Sequence, residues 1–403
     1  MPGCEAPVLE RPDTGPAEQA SAARRDPCGT VEGERVRPLD FLRSKSARTI
    51  LYAVLMLVGC ELAVRGRAWL VHGQASTQAG IYEVDAELGQ VPKAGAIMTS
   101  DGATTTINRW GLRGPECTLQ KPPGTVRVLC LGASTTFGQP GDDDSSIWPA
   151  RLEGRLNERG LGVQVEVLNG AIPGYTMAQS LVNLERRLSR FDPDVVVVYQ
   201  AASSVSAHAR RQFSHRKGAG NRSSWWSPAA LRDRFSLAYM LLRANTAALM
   251  AAHLPVGRHH RLDERGVKRF GDEVGAVIDG CRERGYEVAT CTFPRAFDCG
   301  QPSGERHRLA QSALFFNPQL SVRGLIDAYD RYNGAIRLVA GRKGGAVIDL
   351  DRLIPRDKTH FIDSIHLSPV GHEAVAGHVA SVVAPLIQSR LHGGRAGLAD
   401  AVP

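Results

Sequence analysis

From residue 126 onward the chain alternates short apolar runs with amphipathic stretches, and this rhythm limits the fold more than any other feature. Residues 126–131 read as an apolar run, the pattern of a strand covered on both faces. WPARLEGRLNERG (148–160) has helical spacing and closes on a glycine. VQVEVLN (163–169) reads as a second strand, TMAQSLVNLERRLSRF (176–191) as a second helix, and DVVVVYQA (194–201) as the most apolar strand. The rhythm then breaks. It resumes with a helix near 263–284, a strand YEVATCTF (286–293), a helix near 321–341, a strand AVIDL (346–350) and a last helix over about 369–391. Strands alternating with helices predict an α/β fold, a three-layer α/β/α sandwich around a parallel sheet.

Residues 203–262 carry no strand pattern. They hold a polar, basic stretch with Trp225 and Trp226 and a helix-like segment over 229–252, and they read as an insertion. The two tryptophans could stack on a sugar, touch a membrane interface, or cover the insertion's own small core. Upstream, residues 72–125 read as loop, with TTTINRWGLRGPE (104–116) the one distinctive patch.

With 43% hydrophobic residues in 403, a sizeable core is available to one large or two ordinary domains. The net charge of +8 is spread among acids, and basic tracts interleaved with aromatics are missing, so no nucleic-acid partner is expected. The first 40 residues are rich in Pro, Gly, Ala, Glu and Arg, and read as a disordered tail that cannot bury enough surface to offset its ordering entropy. Residues 49–64 then contain one charge, Glu61. A bilayer span needs about 17 to 25 residues, which Trp69 and Leu70 could complete past Arg65 and Arg67. Arg35, Arg37, Arg43, Lys45 and Arg48 precede the segment, and two arginines follow it. That bias predicts a single-pass anchor with the tail in the cytoplasm and the bulk of the chain exported. Two alternatives stand beside the anchor: LVGC (57–60) as a lipoprotein box with Cys60 as the lipidated residue, and a core helix of a soluble protein. The expected organisation is a tail over 1–47, an anchor over 48–70, a preamble over 71–124, the α/β domain over 125–392 with its insertion at about 203–262, and a flexible tail over 393–403.

The cysteines do not form a framework. Cys4 and Cys28 fall in the tail, Cys60 in the apolar segment and Cys130 in a strand, which leaves Cys117, Cys281, Cys291 and Cys299. Cys291 could pair with Cys299, or Cys281 with either, and free buried thiols are the equal alternative. No Cys-x-x-Cys spacing suggests zinc, and no cofactor is implied.

Ser134 closes the first strand run, in VRVLCLGASTTFG (126–138). A serine hydroxyl is a poor nucleophile until a base takes its proton, and the base is usually a histidine held in one tautomer by a carboxylate. FIDSIHLSPVGHEAVA (361–376) supplies both: Asp363 and His366 stand three apart before the last helix, where a turn lets the carboxylate reach Nδ1 and leaves Nε2 outward. A serine after a strand is more often a helix N-cap, and an Asp-x-x-His pair is more often solvated surface. Their joint placement at the opening and the close of one sheet favours catalysis. His372 reads as a packing or surface residue, His259, His260 and Asp263 as a weak mimic of a metal site in a solvated stretch, and GDDDSS (141–146) as a solvated loop leading into a helix.

These motifs resemble the SGNH, or GDSL-type, hydrolases. GASTTFG (132–138) is similar to the family's first block, NGAIPGYT (169–176) to its second and DSIHLSPVG (363–371) to its fifth. The resemblance implies a flavodoxin-like sheet and a serine esterase in which Ser134 is the nucleophile, Asp363 and His366 complete the triad, and Gly174 gives a backbone N–H to the oxyanion. It covers about residues 126–390. An apolar helix ending in ELAVR (61–65), followed by INRWGLRGPE (107–116), is similar to membrane-anchored bacterial members. One block departs: VVVVYQAASSV (195–205) puts Ser203 and Ser204 where the family has Asn and Asp. The family's Asn completes the oxyanion hole, and losing such a donor typically costs about 10²–10³ in rate. Ser203 substitutes, or Gln200 does, or catalysis is impaired. The expected substrate is an ester on a small molecule or glycan, an O-acetyl group included. The alternatives are an acyltransferase using the same serine and a degenerate module that binds glycan or protein.

Overall fold

A computed structural model describes residues 45–72, 81–100, 102–214 and 259–399. The expected N-terminal tail up to residue 44, with Cys4 and Cys28, lies outside these, as does most of the expected insertion, including Trp225, Trp226 and the expected helix at 229–252. The chain divides into two units, residues 1–57 and 58–403.

Helix α1, Lys45–His72, begins in the first unit. Its large apolar side chains are exposed: Ile50, Val54, Leu55, Met56, Leu57 and Leu62 are each at least 49% exposed. Among the described residues two helices are long and apolar enough to cross a membrane. One lies in α1, over Arg48–Gly66, and none of it is buried; the other, Pro369–His392, is half buried.

The second unit is built on a five-stranded sheet. Its strands are β5 (Thr125–Gly132), β6 (Gln164–Asn169), β7 (Val195–Tyr199), β8 (Glu287–Cys291) and β9 (Ala346–Ile348), numbered after four short strands upstream. They lie in the order β6-β5-β7-β8-β9, every pair parallel. In order of appearance this is 2-1-3-4-5, the flavodoxin-like arrangement, whose switch point falls between β5 and β7. Parallel neighbours need crossovers, and these are helical. Helices α3 (Trp148–Glu158) and α11 (Pro369–Ala399) pack together, while α4 (Met177–Asn183), α6 (Glu264–Arg282) and α9 (Val322–Arg342) pack in a row. The result is the expected three-layer α/β/α fold.

β7 is buried along its whole length, as its unbroken valines require. β5 is not wholly apolar. Arg127 sits fully buried inside it, held by Glu166 Oε2 at 2.7 Å and by the carbonyls of Leu119, Phe191 and Thr118. A buried guanidinium is tolerated only with its donors satisfied. α11 buries Val375, Ala376, Val379, Ala380, Val383, Ala384 and Ile387, a stripe at helical spacing, so its apolar character belongs to the core. It runs beyond the expected end near 391, to Ala399.

Two regions differ from the sequence expectation. Residues 81–106, read as loop, form two hairpins: β1 (Tyr82–Glu83) with β2 (Val91–Pro92), and β3 (Ile97–Ser100) with β4 (Ala103–Thr106). Residues 203–214, read as the start of an insertion, belong to helix α5 (Ala202–Ser214), which packs on α6 and α9 and buries Ser204, Val205, His208 and Ala209. The six described cysteines, Cys60, Cys117, Cys130, Cys281, Cys291 and Cys299, are free, so the possible pairings among Cys281, Cys291 and Cys299 do not form.

Candidate active site

Ser134 opens a single helical turn, α2 (Ser134–Phe137), at the carboxyl end of β5. The strand can turn this sharply because Gly132 has no side chain: a Cβ there would stand 2.2 Å from Thr136 Oγ1 and 2.6 Å from the Tyr199 carbonyl. Thr136 Oγ1 donates to that same carbonyl at 3.1 Å and ties the turn to β7. Asn169, at the end of β6, donates to the Thr136 carbonyl at 3.1 Å. The turn is therefore fixed by both neighbours of β5.

The preamble holds the turn from outside. Arg113 is 3% exposed. Its Nε donates to Asp144 Oδ1 at 2.9 Å, Nη1 donates to the Phe137 carbonyl at 3.0 Å, and Nη2 donates to the Asp142 carbonyl. Asp143 and Asp144 each accept a backbone N–H from β4, those of Thr104 and Thr106, both at 2.8 Å. The GDDDSS stretch, exposed or half-exposed throughout as a solvated loop would be, also clamps the preamble. Its partners lie 29 to 39 residues upstream, where no local pattern announces them.

The loop before α11 brings in the other two residues. Ser134 Oγ stands 2.9 Å from His366 Nε2, and His366 Nδ1 stands 2.8 Å from Asp363 Oδ2. Asp363 Oδ1 accepts the backbone N–H groups of Ile365 and His366, each at 2.8 Å, so the three-residue spacing closes on itself. Burial pushes the Asp363 carboxyl up, but the bonds and charge of His366 and the two backbone N–H groups outweigh it and hold it below the usual carboxylate range. An ionised Asp363 keeps the proton on Nδ1 and turns the Nε2 lone pair toward the serine. The set can move a proton from Ser134 to His366.

A cavity of about 420 Å³ opens on Ser134 and His366. Gly174 lines it with φ +83°, a left-handed conformation that a side chain would strain, although the space beside it is open. Ser203 lines it from the first turn of α5 and is half-buried. Gln200 does not line it. Its amide is committed below, donating to the Tyr175 carbonyl and accepting from Ser180 Oγ at 2.6 Å. Ser204 accepts the Met177 N–H at 3.0 Å and so fixes the start of α4.

The remaining candidates separate. His372 is buried; its Nδ1 accepts the Trp148 N–H at 3.1 Å, and Nε2 lies 3.5 Å from Asp142. His259 stacks on Phe213, His260 meets Ser321 Oγ at 2.7 Å, and Asp263 caps α6 through the Gly266 N–H. No three potential metal ligands cluster among the described residues. Arg210, on α5, also lines the cavity and was not marked by any motif; its signal is helical spacing from Ser203.

A model of the GDSL-like Lipase/Acylhydrolase family matches residues 130–374, and the chain belongs to that family. It is a hydrolase of ester bonds. Among solved structures it is similar to a lipase/acylhydrolase from Enterococcus faecalis, at 17% identity over 64% of this chain and 96% of that one, with a TM-score of 0.41. The acetyl xylan esterase AlAXEase matches at 17% identity over 64% of this chain and all of its own, with a TM-score of 0.39. A protein of the G-D-S-L family from Desulfitobacterium hafniense matches at 11% over 64% and 99%, with a TM-score of 0.37. No curated protein matches the chain.

Proposed function

We propose that the chain is a membrane-tethered serine esterase whose domain, exported from the cytoplasm, removes acyl groups, O-acetyl included, from a small molecule or glycan. The observation that carries this reading is the line from Ser134 Oγ to His366 Nε2, 2.9 Å, and on from Nδ1 to Asp363, 2.8 Å. His366 takes the Ser134 proton as Oγ attacks the ester carbonyl carbon. The negative charge that develops on the carbonyl oxygen is met by the Gly174 N–H and the Ser203 hydroxyl. Collapse of the tetrahedral intermediate breaks the bond to the alcohol oxygen, which leaves with the proton from His366. Water, deprotonated by the same imidazole, then attacks the acyl-serine and releases the acid. Support for the tether comes from the exposed apolar span of α1 and the five positive charges before it against two after.

The test is covalent. A fluorophosphonate probe should label the full chain at Ser134, and Ser134→Ala should abolish both labelling and hydrolysis of 4-nitrophenyl acetate. Labelling that persists in the alanine variant overturns the assignment.

A further inference from the structure

Helix α5 runs along the cavity wall. Ser203, Ser206 and Arg210 line the cavity at spacings of three and four residues, which places them on one helix face. The opposite face, Ser204, Val205, His208 and Ala209, is buried.

Arg210 differs from four other arginines of this unit. Arg113, Arg127, Arg295 and Arg337 each meet a carboxylate. Arg210 has no hydrogen-bond or ion-pair partner among the described residues. Asp and Glu are missing from the described residues that line the cavity. Arg210 is exposed to solvent, and partial enclosure of its guanidinium lowers its pKa with no acid among the described residues opposing the shift. A guanidinium stays charged under any condition relevant to folding, so the described cavity wall holds a cation with no counter-charge of its own.

We infer that Arg210 is a specificity-determining residue that binds an anionic group, a carboxylate, carried by the ester substrate. Seven residues at 1.5 Å each put its Cα about 10 Å along the helix from Ser203, so the anion sits well away from the scissile carbonyl. The inference rests on the esterase reading of Ser134.

Two matched pairs of substrates test it. The 4-nitrophenyl ester of suberic acid, with its far carboxylate free or methyl-capped, places the anion on the acyl side. O-acetylated oligogalacturonate against O-acetylated xylo-oligosaccharide places it on the alcohol side. The readout is the ratio of kcat/KM, anionic over neutral. In at least one pair the ratio should fall about tenfold in Arg210→Gln, through KM, and be partly kept in Arg210→Lys; a hydrogen bond to a charged group supports a change of that size. In the wild type the same ratio should fall as salt is raised. A ratio indifferent to salt in the wild type, or equal in wild type and Arg210→Gln for both pairs, overturns the inference while neutral-ester turnover keeps the esterase reading. Absence of turnover of every ester by the wild type overturns both.

Discussion

Ser134 Oγ and His366 Nε2 lie 2.9 Å apart although 232 residues separate them in the chain. The contact depends on the order of the sheet. β5 and β7 flank the switch point, where the crossovers leave to opposite faces and the carboxyl ends open a crevice. Ser134 follows one of these strands and Ser203 the other. His366 arrives from the loop after the last strand, whose turn is closed by Asp363.

On the triad proposal, His366→Ala should lower kcat for 4-nitrophenyl acetate by about 10⁴ or more. The melting temperature should change little, because among the described residues its ring bonds only to Ser134 and Asp363. His372→Ala should behave in the opposite way. The Trp148 N–H would lose its buried acceptor, costing about 1–3 kcal/mol of stability, while activity per folded molecule is retained. Rates and thermal unfolding measured on both variants check the pair. Equal loss of activity in the two would sink the assignment.

Asp363 carries a pH signature. Its folded pKa is depressed, so its contribution to stability is fully present above its unfolded value, about 3.9, and is lost as pH falls through the folded value. The stability gap between wild type and Asp363→Asn should therefore be constant from neutral pH to about 5 and narrow below about 4. Denaturant unfolding across that range measures it. Activity of Asp363→Asn at neutral pH should fall by about 10⁴, because an amide can stabilise the wrong imidazole tautomer. A gap that stays flat down to about pH 2 would show that the carboxylate is not held by these bonds.

Most of the sheet was legible because its strands are buried on both faces and read as apolar runs. The Asp363–His366 pair was legible because the turn that joins them is local. Helix α5 was not, since the stripe of ASSVSAHARRQFS that meets the core is made mostly of small residues, Ala202, Val205 and Ala209, and the polar Ser204 and His208 are buried beside it. The same concealment hid Arg210. The preamble hairpins have strands of two to four residues, too short for an alternation to register. Arg113 and the Asp142–Asp144 run were invisible for another reason: they meet each other across 29 to 31 residues of chain.

The anchor has a topological test. An alkaline phosphatase domain fused after residue 75 should be active outside the cytoplasm, because the positive charges concentrate before the apolar segment 49–64. Replacing Arg35, Arg37, Arg43, Lys45 and Arg48 by glutamine should weaken or reverse that orientation. Recovery of the wild-type protein wholly in the soluble cytosolic fraction would remove the tether from the proposal.

The clamp on the serine turn should matter as much as the turn itself. Arg113 is buried and ion-paired with Asp144, and it also bonds the carbonyls of Phe137 and Asp142. Arg113→Met would take this donor from the half-buried Asp144 carboxylate and from two carbonyls, a loss of about 1–3 kcal/mol. Arg113→Lys should recover part of it, since a point charge can meet Asp144 but cannot span both carbonyls in a plane. Activity on 4-nitrophenyl acetate should fall in both variants even below their melting temperatures, through kcat, because Phe137 closes the turn that Ser134 opens.

Ser203 and Ser204 stand where the family has Asn and Asp, and the two side chains have different surroundings. Ser204 accepts the Met177 N–H at 3.0 Å, so Ser204→Ala should cost about 1–3 kcal/mol of stability by leaving that buried N–H unpaired. Ser203 faces the cavity with Gly174 and Ser134, and its hydroxyl is left with no bond to a described residue that would compete for it. If it donates to the oxyanion, Ser203→Ala should lower kcat on an activated ester with little change in melting temperature. The loss should be at or below the roughly 10²–10³ that a preorganised donor supplies, because a freely rotating hydroxyl must be oriented at the moment of reaction. An asparagine amide reaches further and can be held by a second bond, so Ser203→Asn should raise turnover of 4-nitrophenyl acetate. Steady-state kinetics on the two variants, with thermal unfolding as the control for folding, decide the matter. A silent Ser203→Ala together with an unchanged or slower Ser203→Asn would remove Ser203 from the oxyanion hole and leave the Gly174 N–H and the Ser134 turn to bear the charge.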